Sequence, residues 1–276
     1  MRRSERIAVI TRILTDNPHQ LFPLKYFTEK LNSAKSSISE DLTIIKEVFQ
    51  NQKLGLIETL AGAAGGVRYI PLYSRDEIEN FLKDLCTRLS DPERVLPGNF
   101  LYMTDLIFTP EVVNKIGGIF ATCFADKKPD YIITMETKGI PIALMTARAF
   151  NVPLVTIRRS SRVTEGSVVS INYVTGSSKK IETMSLPRKA LPVNSKVIII
   201  DDFMKAGGTA RGMMELMQEF KAEVLGLGVL VTTAKPEKKL VEDYISLLVL
   251  EDVNNDTNSV VIRPGDWIYK STEADS

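Results

Sequence analysis

The chain has 276 residues, of which 44% are hydrophobic and 25% charged, and its formal net charge is +1 at pH 7. This composition is typical of a globular protein with one large or two moderate domains. No apolar run approaches the roughly 20 residues of a membrane span, and the N-terminus lacks the apolar core of a secretory signal. We therefore expect a cytoplasmic protein with no membrane partner.

Cysteine and histidine usage argues against several classes of site. Cys86 and Cys123, the two cysteines, show neither metal-binding nor redox spacing. His19 is the single histidine, which argues against a histidine-ligated zinc and against a Ser-His-Asp mechanism. The sequence therefore predicts no metal site.

The front of the chain predicts three helices followed by a β-hairpin. Residues 4–16 and 23–31 each carry one apolar stripe at helical spacing. A third helix is predicted over about 36–50, with a capping box at Ser37-x-x-Glu40. Strand candidates follow at 56–60 and 67–70. This order is that of a winged helix-turn-helix, and we place the two domains at 1–73 and 74–276.

A winged helix of this kind indicates a double-stranded DNA partner, because its third helix enters the major groove. Small hydroxyls and cations near the start of that helix suit contacts with bases and phosphates. A basic arm at the extreme N-terminus and an arginine on the wing add charge. The predicted DNA contacts are Arg2, Arg3, Arg6, Lys35, Ser36, Ser37, Ser39, Thr43, Lys46 and Arg68. The alternative is a protein-interaction domain, since this part of the chain is only mildly basic.

The back of the chain predicts an α/β domain with an open parallel sheet and flanking helices. Apolar strand candidates at 131–135, 152–157 and 197–200 alternate with helical patterns. Ligands of such sheets bind at the carboxyl ends of the strands. Three loops should therefore meet there: 136–139, the loop after Arg158, and 201–209. A hairpin is expected at 168–174 and 180–186, around Gly176-Ser177-Ser178.

The segment 197–209 carries the strongest signal for a ligand. Its buried strand is followed by Asp201 and Asp202, then by Gly207, Gly208, Thr209 and a helical pattern. Backbone N–H groups at such a helix start bind phosphate, and carboxylates accept hydrogen bonds from a sugar diol. The segment resembles the phosphoribosyl-pyrophosphate (PRPP) motif of the type I phosphoribosyltransferases. The resemblance implies that Asp201 and Asp202 bind the ribose hydroxyls. It also implies that the 5-phosphate binds the loop formed by Phe203, Met204, Lys205, Ala206, Gly207, Gly208 and Thr209.

Two further loops resemble parts of the same family. Glu136-Thr137-Lys138-Gly139 resembles the pyrophosphate loop of adenine phosphoribosyltransferases, which have Glu-Ala-Arg-Gly, and this implies a PRPP role for Thr137, Lys138 and Gly139. Arg158 and Arg159 lie where the family's strand leads into a mobile basic loop. Residues 158–196 hold eight basic and two acidic residues, which indicates a polyanionic partner. The alternative is a solvated basic surface.

Two aromatic residues are candidates for stacking on a nucleobase. Family members build a hood beside the site, and Phe100 and Tyr102 could supply an aromatic face there. Ordinary core packing is the alternative for both residues.

Lys205 differs from the residues that enzymes of the family carry at this position. Several purine phosphoribosyltransferases carry an acid or a small residue at this position. A cation suits a phosphate but does not suit the acceptance of a proton from a purine. The motif loop has no spare carboxylate once Asp201 and Asp202 hold the diol. We therefore expect a site that binds PRPP without turnover, with no catalytic residue.

Over its whole length the chain resembles the purine operon repressors of Gram-positive bacteria. The strings that carry the likeness lie at 33–46, 61–67, 137–141, 163–167 and 197–209. The resemblance implies a homodimer that represses purine biosynthesis and transport genes and is released from DNA by PRPP. It leaves the need for Mg²⁺ open and implies a guanine alarmone as a competitor. The alternatives are an active purine phosphoribosyltransferase with an added regulatory domain, and a PRPP-binding module whose front domain contacts protein.

Overall fold

The structure is a computed structural model that describes residues 1–62, 64–160, 166–175 and 180–270, with the backbone alone at 269 and 270. The chain divides into two compact units. The first comprises Met1–Ser74 with Arg148–Asn151, and the second comprises Arg75–Ala147 with Val152–Ser276.

The first unit begins with three helices and continues into an antiparallel hairpin. The elements are α1 (Arg3–Asp16), α2 (Leu24–Leu31), α3 (Lys35–Asn51), β1 (Leu56–Leu60) and β2 (Gly66–Ile70). One apolar cluster joins them, because each helix turns its predicted stripe inward: Ile10 and Leu14 from α1, Phe27 from α2, and Ile38 and Ile45 from α3 are all buried. This is the predicted winged-helix order of elements.

The start of α3 differs from the prediction. The helix begins at Lys35 after an extended Ala34, and no side chain caps it. Ser37 therefore lies inside the first turn, and the capping box at Ser37-x-x-Glu40 is wrong. In the preceding turn Asn32 adopts a left-handed conformation (φ 44°) and ends α2, and the chain re-enters a helix at Lys35, one residue earlier than expected.

The second unit alternates strands and helices. Its helices are α4 (Arg75–Leu89), α5 (Thr104–Ile107), α6 (Pro110–Cys123), α7 (Ile140–Phe150), α8 (Gly208–Glu219) and α9 (Trp267–Lys270). Its strands are β3 (Val95–Leu96), β4 (Phe100–Leu101), β5 (Tyr131–Met135), β6 (Leu154–Ile157), β7 (Val168–Val174), β8 (Ile181–Pro187), β9 (Lys196–Met204), β10 (Glu223–Thr233), β11 (Ile245–Asn254) and β12 (Ser259–Pro264).

A six-stranded sheet forms the centre of the second unit. The strand order is β12-β11-β10-β9-β5-β6, and every pair is parallel except β11 with β12. Val197, Ile198, Ile199 and Ile200 of β9 are fully buried, as expected for a central strand covered on both faces. The predicted parallel sheet is confirmed. Two antiparallel hairpins, β3–β4 and β7–β8, lie outside it.

Strand β9 continues further than the sequence predicts. It runs through both acids to Met204, because β10 pairs with it as far as Thr232 opposite Met204. Asp201 and Asp202 therefore lie on a rigid strand end and not in the loop. Within the described part of the chain, no helix combines the length and the apolar character needed to cross a bilayer.

Candidate functional site

A cleft of about 840 Å³ opens in the second unit where β9 and β10 end. Asp201 and Asp202 contribute to its floor, and the loop that leads into α8 forms one side. Lys138 and Arg159 add two cations to its lining. The β3–β4 and β7–β8 hairpins supply further lining residues. The three loops that sequence reasoning expected to meet therefore each contribute to one cleft.

The two acids lie beside each other, with Asp201 buried and Asp202 half-buried. Asp201 is 7% exposed, and one of its carboxylate oxygens accepts a hydrogen bond of 3.0 Å from the Asp202 backbone N–H. Burial, and then the neighbouring charge of Asp202, raises the pKa of Asp201 well above its usual range. Burial also raises the pKa of Asp202. A ligand that donates hydrogen bonds to these two carboxylates would stabilise their ionised form.

The loop after β9 ends in a helix N-terminus that faces the cleft. Gly207 precedes α8 with φ 85°, a left-handed conformation that favours glycine. A Cβ at this position would also lie 3.2 Å from Val241. The N–H groups at the start of α8 have no partner within the helix, so they suit an anion. Gly208 and Thr209 line the cleft there.

Lys239, a residue that sequence reasoning missed, holds this loop. Its ammonium donates to the carbonyl oxygen of Lys205 at 2.6 Å and to that of Thr233 at 2.7 Å. The residue is 9% exposed, and burial lowers its pKa. The backbone N–H of Leu240 also donates to Ala206 O at 2.9 Å. The segment after β10 therefore fixes the backbone of the loop from behind.

The loop at 136–139 passes close to the acid pair. A Cβ at Gly139 would lie 2.5 Å from Thr134 Oγ1 and 2.9 Å from Asp201 Oδ1, so glycine permits this approach. Lys138 lines the cleft, and its charge lowers the pKa of Asp202, although burial has the larger effect. Thr137 is exposed and is not a lining residue.

The two predicted arginines have different environments. Arg158 exchanges backbone hydrogen bonds with Ser185 and does not line the cleft. Arg159 lines it, and its guanidinium lies 3.2 Å from Glu182 Oε2. The hydroxyl of Tyr173 donates to the same Glu182 oxygen at 2.9 Å. Sequence reasoning missed both Tyr173 and Glu182.

The two aromatic candidates also differ. Phe100 lines the cleft and is 66% exposed, so it presents a free aromatic face. Tyr102 is not a lining residue, and its backbone groups bind Arg94. The packing alternative does not describe Phe100.

The prediction of a free basic arm at the N-terminus is wrong. Arg3 and Arg6 lie within α1, and both contact Asp41 of α3, which is fully buried. The Arg6 guanidinium makes two hydrogen bonds to this carboxylate, at 2.7 and 3.2 Å. These cations neutralise a buried acid, and so they do not form a free arm. Arg2 is exposed and lies 3.9 Å from Glu5.

The remaining DNA candidates lie on α3 and the wing. Ser37 and Arg68 are half-buried. The other five are exposed: Lys35, Ser36, Ser39, Thr43 and Lys46. Arg68 pairs with Glu58 on the facing strand. Ser39, Thr43 and Lys46 line a second cleft of about 400 Å³, with Thr59 and Gly66 of the hairpin. The exposed face of α3 thus carries hydroxyls and two cations.

Comparison with known proteins gives matches to both parts of the chain. A family model for the N-terminal domain of the bacterial purine repressor matches residues 2–71. A phosphoribosyl transferase domain model matches residues 104–266. The solved adenine phosphoribosyltransferase of Thermoanaerobacter pseudethanolicus is similar with a TM-score of 0.53 and 20% identity, over 61% of this chain and 98% of that one. The phosphoribosyltransferase-like fold is thereby confirmed.

Two relatives bear on whether the chain is a regulator or an enzyme. The purine biosynthesis transcriptional repressor PurR of Bacillus subtilis (strain 168) is 49% identical over 97% of this chain and 94% of its own length. The xanthine phosphoribosyltransferase of Lactococcus lactis subsp. cremoris (strain MG1363) is 31% identical over 68% of this chain. The match to the repressor spans both units, whereas the match to the enzyme covers only part of the chain, and this confirms the expectation of a transcriptional repressor of purine biosynthesis rather than an enzyme. The chain belongs to the bacterial purine repressor family.

Proposed function

We propose that the chain is a cytoplasmic homodimer that binds operator DNA upstream of purine biosynthesis and transport genes, and that PRPP releases it. The observation that carries the proposal is the acid pair, with Asp201 buried and Asp202 half-buried, beside a glycine loop and a helix N-terminus. This combination offers acceptors for hydroxyls next to donors for phosphate. A phosphorylated pentose presents both groups.

Each part of PRPP has a partner of suitable chemistry in the cleft. The ribose diol donates to Asp201 and Asp202, and the 5-phosphate accepts from the N–H groups at Gly208 and Thr209. Lys138 and Arg159 supply positive charge for the pyrophosphate. Magnesium is an optional companion of the pyrophosphate, and titrations with and without it decide its role.

The site binds PRPP without consuming it. A group that takes a proton from the base favours turnover of a purine, and the loop from Phe203 to Thr209 carries Lys205 where an acid would serve. Phe100 presents an aromatic face at the same cleft. A guanine alarmone, which joins a base to phosphates, is a competitor of suitable chemistry for this cleft.

Release from DNA follows from linkage. If PRPP binds better to a form that binds DNA poorly, each ligand weakens the other by the same factor. In this proposal the basic segment 158–196 contacts both ligands. It binds phosphates of DNA in the DNA-bound form of the protein and phosphates of PRPP in the PRPP-bound form. Of its cations, Arg162 and Lys179 lie outside the described residues, whereas Lys180 is described and exposed. Replacing Arg162, Lys179 and Lys180 with alanine should flatten the salt dependence of DNA binding, and an unchanged slope would exclude the dual role.

The test is a mobility-shift titration of the full chain against DNA from upstream of purine genes, with and without PRPP. The double variant Asp201→Asn, Asp202→Asn should bind this DNA normally but should resist release by PRPP. Asp252→Asn, an exposed acid on β11, is the matched control and should behave as the wild type. Failure of the wild type to shift any of these DNAs would favour the alternative in which the front domain contacts protein.

A second assay addresses the enzyme alternative. Radiolabelled purine and pyrimidine bases are incubated with PRPP and the purified chain, and nucleotide formation is measured. We expect none above the background of the acid-pair variant. Turnover with any base would support an active phosphoribosyltransferase with an added regulatory domain.

A further inference from the structure

The cleft holds a third carboxylate that the proposed binding of PRPP does not use. Asp201 and Asp202 have a role as acceptors for the ribose diol, but Glu182 on β8 lies beside Arg159, a cation that the proposed function assigns to the pyrophosphate. Its Oε2 is 3.2 Å from a guanidinium nitrogen of Arg159 and 2.9 Å from the hydroxyl of Tyr173. A negative charge at this place opposes a polyanionic ligand.

Glu182 engages these donors as a phosphate oxygen would. Arg159 presents a planar guanidinium, which suits carboxylates and phosphates alike. Burial and the hydrogen bond to Glu182 raise the pKa of Tyr173, so its hydroxyl remains a donor at neutral pH. The Glu182 side chain is 30% exposed and that of Arg159 is 61% exposed. This exposure makes the ion pair weak enough for a ligand to exchange it.

We propose that Glu182 is an internal competitor that holds Arg159 and Tyr173 while the cleft lacks ligand and that raises the PRPP concentration needed to fill it. The inference rests on the proposed function and deepens it, because it concerns the affinity of the same site. When PRPP binds, a pyrophosphate oxygen replaces the Glu182 carboxylate at Arg159. Glu182 is then a specificity-determining residue, since only a ligand with a second anionic group can replace its carboxylate at Arg159.

The position of Glu182 on the β7–β8 hairpin gives the exchange a structural consequence. Tyr173 and Glu182 face each other across this hairpin, and a Cβ at Gly212 of α8 would lie 3.0 Å from Tyr173, so the hairpin packs closely on the helix that begins at the phosphate loop. Loss of the Arg159 contact removes an ion pair that ties this hairpin to the segment after β6.

Calorimetric titration of the full chain tests the inference with two probes, PRPP and ribose 5-phosphate. Glu182→Gln keeps the size of the side chain and removes its charge. The variant should bind PRPP about two- to tenfold more tightly, as expected for a partly exposed ion pair and its repulsion of an anion. The affinity for ribose 5-phosphate, which has no pyrophosphate to place at Arg159, should increase less. The variant should also need less PRPP for release from DNA.

Controls separate this role from a structural one. Glu215→Gln removes an acid from an exposed pair with Arg211 on α8 and should leave both affinities unchanged. Glu182→Ala is the second variant and should also tighten PRPP binding. Unchanged or weaker PRPP binding by both Glu182 variants, while the wild type binds, would overturn the inference and leave the proposed function intact. Weakening seen only with Mg²⁺ would also overturn it, because Glu182 would then be a metal ligand. No PRPP binding by the wild type would overturn the proposed function itself and this inference with it.

Discussion

The ammonium of Lys239 donates a hydrogen bond of 2.6 Å to the carbonyl oxygen of Lys205, 34 residues earlier in the chain. The contact ties the segment after β10 to the loop that faces the cleft. Because the same ammonium also binds Thr233 O, one buried cation neutralises two carbonyl dipoles behind the candidate phosphate site. The loop backbone is thus fixed before any ligand arrives.

Replacement of Lys239 should disturb this loop. Lys239→Met leaves both carbonyl oxygens without their donor, at a cost of about 1–3 kcal/mol in the free energy of unfolding. PRPP affinity should fall with it, because the loop N–H groups lose their fixed direction. Urea unfolding and calorimetry on the same samples measure both effects. Lys238→Met, an exposed neighbour, is the control; equal losses in the two variants would contradict the account.

Asp201 should make the folded chain less stable as the pH rises. Its pKa is higher in the folded than in the unfolded state, so the stability that it contributes is present below the unfolded pKa and is lost as pH rises through the folded pKa. Asp201→Asn should therefore raise the melting temperature at pH 8 and change it less at pH 4, while it abolishes PRPP binding. A lower melting temperature at pH 8 would mean that the charge stabilises the fold.

Gly139 should tolerate no side chain. In Gly139→Ala the added Cβ would meet Thr134 Oγ1 and Asp201 Oδ1 closer than 3.0 Å, so the loop or the acid must move. A displacement of this kind costs ligand binding heavily, by about tenfold or more. Calorimetry with PRPP gives the affinity, and a thermal melt shows whether the variant remains folded. A folded variant with wild-type affinity would show that the loop does not position the acid pair.

Arg6 should act through folding and not through a DNA contact. Arg6→Met leaves the buried Asp41 with fewer partners, so the front domain should melt at a lower temperature. Arg12→Met removes an exposed pair on the same helix and should have little effect. Circular dichroism melts of both variants check this. If Arg6→Met melts normally but loses DNA affinity, the arginine is a DNA contact after all.

Lys46 should contact DNA phosphate. Its side chain is exposed on α3, and Lys46→Ala should reduce the slope of the logarithm of DNA affinity against the logarithm of salt concentration by about one. Lys83→Ala, on α4 of the other unit, should leave the slope unchanged. Mobility-shift titrations at several salt concentrations measure it. Equal slopes for wild type and Lys46→Ala would remove this residue from the interface.

Local patterns in the sequence were sufficient for the main elements and for the acid pair. The apolar run at 197–200, the two acids and Gly207-Gly208 lie within 12 residues, so one strand, one loop and one helix start could be read together. The bounds of β7 were predicted to the residue. The apolar run within β11 is a similar signal of a buried strand, which sequence reasoning missed.

Contacts between distant segments could not be predicted in this way. Lys239 stands in a polar stretch with no periodic pattern, and only the fold brings it beneath Lys205. Arg3 and Arg6 appear as a basic arm because Asp41, their partner, is more than 30 residues away and looks like a surface acid. Glu182 is one acid in a basic segment, and its role depends on which cation the hairpin places beside it.

The most direct test is calorimetric titration of PRPP into the purified chain, alone and bound to operator DNA, with and without Mg²⁺. We expect heat of binding with one site per chain, and an affinity that operator DNA lowers by the same factor by which PRPP lowers DNA affinity. An absence of heat under all of these conditions, or an affinity that operator DNA leaves unchanged, would disprove release from DNA by PRPP.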